Sequence, residues 1–393
     1  VAVVPELSRK LINFTDSVIR RMTRISNKYG AINLSQGFPD FDPPKEIEEA
    51  LRTAAVKGPH QYAITWGAQN LRGALAEKQS RFMGLDIDPD TQIVITCGST
   101  EAMMASVMTV CDPGDKVIVF SPFYENYAAD AILSGAEPIY VSLYPPDFSF
   151  NKTELENAFK QRPKALILCN PSNPSGKVFT LEELKFIARL AEKYDSFVIT
   201  DEVYEHIVMD PHKHVYFASL PGMFDRTLSC SSFSKTYSIT GWRIGYVIGD
   251  ERVIENVRKV HDFLTVGAAA PLQEAVVAGL KLPMEYYDWL KNLYTKKRDL
   301  FLKGLSEAGL KYVKPQGAYY VLIDVSEFNV KNDLKFCEWL AKEVGIGAVP
   351  GSSFFKEDVN YLIRLHFAKK DDTLLKSIEK LKTLREKARF YKE

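Results

Sequence analysis

Between residues 92 and 248 the chain repeats one unit: a short apolar run, a loop of small or polar residues, then a stretch with helical spacing. TQIVITCGS leads into TEAMMASVMTVC, and DKVIVFSP into the loop and helix of SPFYENYAADAILSGA. EPIYVSL, KALILC, SFVITDEVY, RTLSCSSFSK and WRIGYVIGD supply further strand patterns, with the helical LEELKFIARLAEKYD among them. Strands so uniformly apolar are buried on both faces. Separated by helices, they predict a mainly parallel sheet covered on both sides, an α/β fold. In such sheets the ligand sits beyond the carboxyl ends of the strands, where loops enter helices.

Near residue 283 the texture changes. PMEYYDWLKNLYTKKRDLFLKGLSEAG is a long amphipathic helix, GAYYVLIDV a strand, DLKFCEWLAKEVG a helix, NYLIRLHFA a strand and DDTLLKSIEKLKTLREKARFYKE a closing charged helix. This predicts a smaller α+β domain over 283–393, a large domain over 46–282, and an N-terminal arm over 1–45 that packs on the smaller one. The 393 residues are too many for one ordinary core, which favours the division. Fifty basic residues balance fifty acidic ones, so no global field draws nucleic acid or anionic lipid. Five scattered cysteines, never in C-x-x-C spacing, suit a reducing compartment and offer neither a disulfide framework nor a metal site. VAVVPELSRK is too short and too quickly charged for a signal peptide, and no apolar run reaches membrane-spanning length. A cytoplasmic location is expected.

The loop ends carry the chemistry. Gly98-Ser99-Thr100 opens a helix, whose free N–H groups and dipole favour an anion, though an ordinary N-cap reads the same way. Asn170-Pro-Ser-Asn173-Pro-Ser-Gly176 is a kinked loop that can hold an Asn amide rigid; a single Asn-Pro would be a plain turn, but the pair is doubled. Asp201-Glu-Val-Tyr204 ends a buried strand with an acid that needs a cation, either a structural one or a protonated ring nitrogen, with a phenol three residues on. SFSKTYSITGWRIGY places Lys235 among hydroxyls, its nearest cation Arg243 eight residues on. A lysine shielded from water beside another cation has a lowered pKa and becomes a nucleophile toward an aldehyde. Together the loops offer an anion site (Ser99, Thr100, Ser232, Arg243), a carboxylate for a ring nitrogen, donors for a phenolate and an amine. Those are the parts that pyridoxal 5′-phosphate requires.

The ordered motifs G-S-T, N-P-x-N-P-x-G, D-E-V-Y, S-x-S-K, G-W-R-x-G and a late I-R resemble the class I/II aminotransferases of fold type I. SQGFPDFDPP (35–44) is similar to their kynurenine/glutamine/methionine branch and its aspartate and aromatic relatives. The resemblance implies a large domain built on a mainly parallel seven-stranded sheet. It also implies ping-pong transfer of the amino group of an L-amino acid (aspartate, alanine, aromatic, methionine or kynurenine type) to a 2-oxo acid such as 2-oxoglutarate. It assigns Lys235 to hold the cofactor and move the proton, Asp201 to the ring nitrogen, and Tyr204 and Asn173 to the phenolate oxygen. Tyr124 would stack on the ring, and Ser99, Thr100, Ser232 and Arg243 would bind phosphate. Arg364 and Gly37 would receive the substrate carboxylate. Tyr62 would reach the phosphate of the other subunit, which implies a homodimer with sites at the interface.

One position departs from the kynurenine-type members. They carry a large aromatic in the first helix, whereas Asp16-Ser-Val-Ile19-Arg-Arg places an aliphatic Ile19 there, which speaks against an aromatic donor. Arg20, Arg21 and Arg24 are candidates for a side-chain carboxylate. A C–S β-lyase would use the same Lys235 and Asp201 and is the alternative activity. An aminotransferase-like DNA-binding regulator would need an added winged-helix domain and a basic field, and neither is seen. A plain nucleotide-binding protein would show G-x-G-x-x-G after a strand.

Overall fold

The computed structural model describes residues 5–12 and 16–392. The start of VAVVPELSRK, residues 1–4, lies outside them, as do residues 13–15 of the arm. Eight strands form one sheet: β1 (Ile93–Thr96), β2 (Lys116–Ser121), β3 (Glu137–Tyr144), β4 (Ser149–Phe150), β5 (Ala165–Cys169), β6 (Phe197–Asp201), β7 (Thr227–Ser232) and β8 (Gly245–Ile248). Their spatial order is β1-β8-β7-β6-β5-β2-β3-β4. The central pairs are parallel, β8 runs antiparallel to both neighbours, and β4 is a two-residue antiparallel edge on the end of β3. This edge pairing makes eight strands where seven are expected, because two residues leave no periodic signal. β1, β7 and β8 are buried at every position, as the absence of alternation requires.

The first five α-helices are α1 (Val18–Tyr29), α2 (Lys45–Lys57), α3 (Gln69–Met83), α4 (Ser99–Val110) and α5 (Asn126–Leu133). α1 opens on Ser17, whose hydroxyl accepts from the Arg20 N–H, and stops at Gly30 in the left-handed conformation, φ +60°. The helix Leu181–Lys193 starts with a capping box between Thr180 and Glu183, a local signal readable in the sequence.

A second sheet of four antiparallel strands has the order β9-β10-β12-β11: β9 (Lys311–Val313), β10 (Tyr320–Asp324), β11 (Val349–Pro350) and β12 (Leu362–His366). Met22 of α1 and Leu34 share one apolar core with Val321, Ile323, Ile363 and Leu365 of this sheet. Ile32–Asn33 also pairs with Ile346–Gly347. The carboxyl ends of β5, β6 and β7 therefore face Arg364 across a cleft between the two sheets.

A polar cluster lies under this cleft. Glu205 is buried and accepts from Lys78 Nζ at 3.1 Å, Tyr216 at 2.6 Å, Tyr246 at 3.1 Å and Gln79 at 3.2 Å. Burial alone would raise its carboxyl; the Lys78 ammonium and the Tyr216 hydroxyl overcome this and hold it well below the usual range. Burial keeps His206 neutral, its pKa far below the ordinary 6.5. Both groups bind fewer protons folded than unfolded at acid pH. The contribution of these two groups to stability is therefore complete above about pH 6.5, falls as His206 would protonate in the unfolded chain, and falls further below about 4.5 as Glu205 does the same. Glu205→Gln is expected to cost about 3–5 kcal/mol at pH 7, because Lys78 is left buried and unpaired. Denaturant unfolding across pH 3–8 reads both effects.

Candidate active site

Lys235 lies in the turn after β7. Its Nζ makes one hydrogen bond, a long one of 3.5 Å to the Gly37 carbonyl, and sits 5.9 Å from the ring centres of Tyr204 and Tyr319. Among the described residues no carboxylate forms an ion pair with it. Burial brings its pKa down to about 8; Arg243 and Arg364 push the same way, and Asp201 opposes them. A far larger fraction of the amine is thus free base at neutral pH than in a solvated lysine.

Asp201 closes β6. One of its oxygens accepts from the Tyr127 hydroxyl at 2.7 Å and the other from the Val203 N–H at 3.3 Å. Burial raises its pKa against these two donors and Lys235. A cation placed against it would restore the ionised form. Sequence reasoning missed Tyr127. The available signal was its place three residues after Tyr124, one helical turn on, and the two rings meet edge-on at 5.8 Å.

Asn173, in the doubled Asn-Pro loop, accepts from Arg364 Nη1 at 2.7 Å, which leaves its amide N–H groups for another acceptor. Tyr204 is buried three residues beyond Asp201, and its hydroxyl meets that of Tyr320 at 2.9 Å. Arg364, on β12, is 1% exposed. Its Nη2 donates to the Ser35 carbonyl at 2.7 Å, its guanidinium lies 4.2 Å from the Tyr320 ring centre and 4.6 Å from that of Phe354, and its Nε has no partner. Among the described residues no carboxylate pairs with it. A buried guanidinium without an acid is costly unless an anion joins it. Gly37 beside it accepts from Tyr319 at 2.8 Å, and a Cβ there would collide with the Tyr320 hydroxyl.

The anion cup lies on the other side of Lys235. Ser99 and Thr100 open α4, with the Ser99 side chain half-buried and that of Thr100 exposed. Arg243 holds a left-handed backbone, φ +58°, and donates to the Thr240 carbonyl at 2.8 Å. A Cβ at Gly98 would collide with its guanidinium, and one at Gly245 would come within 2.7 Å of the Ser99 nitrogen. Both glycines thus let the arginine and β8 close against the helix N-terminus. The Ser232 hydroxyl is buried there without a partner.

Ile19 packs with Val349 and Phe354, flanked by Tyr124 and Phe355, as an apolar wall. Of the three arginine candidates in α1, Arg21 is engaged by Glu338 at 2.7 Å and Arg24 by Asp16 at 3.2 Å, and Arg20 is exposed. Tyr62 is 86% exposed and stands apart from this cleft.

The family described as aminotransferase class I and II matches residues 29–381. The chain is 37% identical to methionine aminotransferase of Escherichia coli K12, over 95% of this chain and 97% of that one. It is 34% identical to human kynurenine–oxoglutarate transaminase 1, over 91% and 93%. Among solved structures, one from Escherichia coli with a reported methionine aminotransferase function superposes with a TM-score of 0.93 at 36% identity, covering 98% of this chain and all of that one.

Proposed function

The chain belongs to the aminotransferase class I and II family, and from that membership we propose its donor class, residue roles and assembly. It is an aminotransferase that depends on pyridoxal 5′-phosphate. When bound, this cofactor supplies an aldehyde for the amine and a protonated ring that accepts the electron pair of the broken Cα–H bond.

The residues present fit that group. The unpartnered Ser232 hydroxyl, the first N–H groups of α4 with Ser99 and Thr100, and Arg243 hold the phosphate. Asp201, steadied by Tyr127, would serve the ring nitrogen and favour its protonated form. Tyr204 and the free amide of Asn173 donate to the ring oxygen. Tyr124 covers the ring face. Lys235 would hold the cofactor through its Nζ, and the same amine would carry the proton that leaves the donor Cα. Arg364 receives the α-carboxylate in a two-pronged pair, with Gly37 allowing close approach.

The donor we propose has an uncharged, largely apolar side chain of the methionine type. The observation that carries this reading is the apolar wall of Ile19, Val349, Phe354 and Tyr124 beside Arg364. The methionine aminotransferase at 37% identity supports it. With 2-oxoglutarate as acceptor, kcat/KM for methionine or leucine is expected to exceed that for aspartate by about tenfold or more. Aspartate ranking first would defeat the assignment. Nothing in the relatives favours a C–S lyase.

We further propose a homodimer in the cytoplasm. Tyr62, Ile64, Phe263, Leu264 and Val266 are exposed, and their two segments are joined by a 2.9 Å hydrogen bond from His261 to the Thr65 carbonyl. Such an apolar face suits a second copy, whose Tyr62 would reach this phosphate cup. Light scattering should give twice 44.4 kDa, and a monomer at micromolar concentration would refute the pairing. The five cysteines form no disulfide, which suits a reducing compartment. Among the described residues no helix is long and apolar enough to cross a membrane. The division at residues 45 and 283 belongs to the same reading, supported by the core that α1 shares with the second sheet.

A further inference from the structure

We propose that Tyr320 is a positioning residue that donates its hydroxyl proton to Tyr204, and so fixes Tyr204 as a donor to the ring oxygen of the cofactor. The inference rests on the reading that Tyr204 serves that oxygen.

Tyr320 begins β10 in the second sheet, while Tyr204 follows β6 of the first. Their 2.9 Å contact is thus a side-chain hydrogen bond across the cleft. Two hydroxyls at this distance can bond in either direction. If the Tyr204 proton is given to the cofactor oxygen, only the Tyr204 oxygen remains for Tyr320, which must then be the donor. Neighbouring groups leave this direction open. The Tyr319 proton is committed to the Gly37 carbonyl at 2.8 Å. Lys235 lies over the Tyr204 ring at 5.9 Å and does not bond its oxygen. Cys169, at the end of β5, is the remaining titratable group facing Tyr204, and burial keeps its thiol protonated.

Arg364 holds Tyr320 in place. Its guanidinium covers the ring at 4.2 Å, from the strand paired with β10. Gly37 completes the seat, since a side chain there would displace the Tyr320 hydroxyl. A donor chain Tyr320 to Tyr204 to ring oxygen strengthens each bond in turn and favours the unprotonated oxygen. The Asn173 amide reaches the same oxygen by a separate route.

The test is a visible-absorption pH titration of the loaded, resting enzyme, without substrate, for wild type, Tyr320→Phe, Tyr204→Phe and the double variant. Tyr320→Phe removes one oxygen and leaves the ring under Arg364, so the apoprotein melting temperature should be unchanged within a few degrees, confirming the fold. Its titration midpoint is expected to rise, with proton affinity increased about two- to tenfold, the scale of one hydrogen bond. Tyr204→Phe should raise it at least as far, and the double variant should match Tyr204→Phe alone. An unchanged midpoint in Tyr320→Phe, with Tyr204→Phe shifted, overturns the role of Tyr320. Additive shifts in the double variant contradict a route through Tyr204. A Tyr204→Phe midpoint equal to wild type removes Tyr204 from the ring oxygen, and the inference falls with that reading.

Discussion

Lys235→Ala loses transamination by at least about a thousandfold while the protein stays folded. On the proposed reading two tasks depend on this one amine: holding the aldehyde carbon and carrying the proton from Cα. No neighbouring side chain can replace it, because Tyr204 and Tyr319 are phenols whose pKa burial raises well above 10. Loss of a positioned acid–base group alone is worth about 10²–10⁴ in rate. The fold does not need the lysine, whose hydrogen bond to Gly37 is a long one of 3.5 Å. Its folded pKa of about 8 lies below the ordinary 10.5, so the charged form is disfavoured in the fold. That cost is present below pH 8 and vanishes as pH rises through 10.5. Lys235→Ala should therefore melt at or above the wild-type temperature at pH 7, with the difference gone near pH 10.5. Wild-type turnover in this variant would show that another residue is the nucleophile.

Arg364→Lys raises KM for every amino donor and lowers kcat/KM by about 10- to 100-fold. The buried guanidinium holds Asn173 and Ser35 with two different nitrogens and still presents a flat face between Tyr320 and Phe354. An ammonium is a point charge and cannot keep both bonds while meeting a carboxylate with two parallel ones. One charge-assisted hydrogen bond lost corresponds to about 1.5–3 kcal/mol, which sets the range. The effect should be uniform across donors, because every donor carries the α-carboxylate. A KM unchanged in this variant would take Arg364 out of the carboxylate site. A rise confined to acidic donors would make it a side-chain contact instead.

The strand ends were legible because the signal is local. Runs such as ALILC and FVITD carry no alternation, so they must be buried strands, and the loops that leave their carboxyl ends must lie at one edge of the sheet. Lys235 and Arg364 stood out as single cations in apolar surroundings, and the structure places both at the cleft. What could not be read depends on distant pairing. Tyr127 looked like any aromatic in a helix; its bond to Asp201 exists because the first turn of α5 packs on the end of β6, 74 residues away. Lys78 and Glu205 carry no sequence signal of a pair, since α3 brings them together over 127 residues. Tyr320 lay in a plain strand pattern, and only the facing of the two sheets gives its hydroxyl a partner in Tyr204. Tyr62 lies on a loop and is 86% exposed, so its proposed role depends on a second chain.

The most direct test of the central claim is a single half-reaction. The purified enzyme loaded with pyridoxal 5′-phosphate is mixed with one L-amino acid and no oxo acid, and the visible band of the cofactor is followed. The account predicts that methionine converts the band stoichiometrically to that of the pyridoxamine form, releases one equivalent of its 2-oxo acid, and stops until 2-oxoglutarate is added. In a parallel reaction with a cysteine thioether, continuous release of ammonia, pyruvate and the thiol, with the original band restored, would mean that the site eliminates rather than transfers.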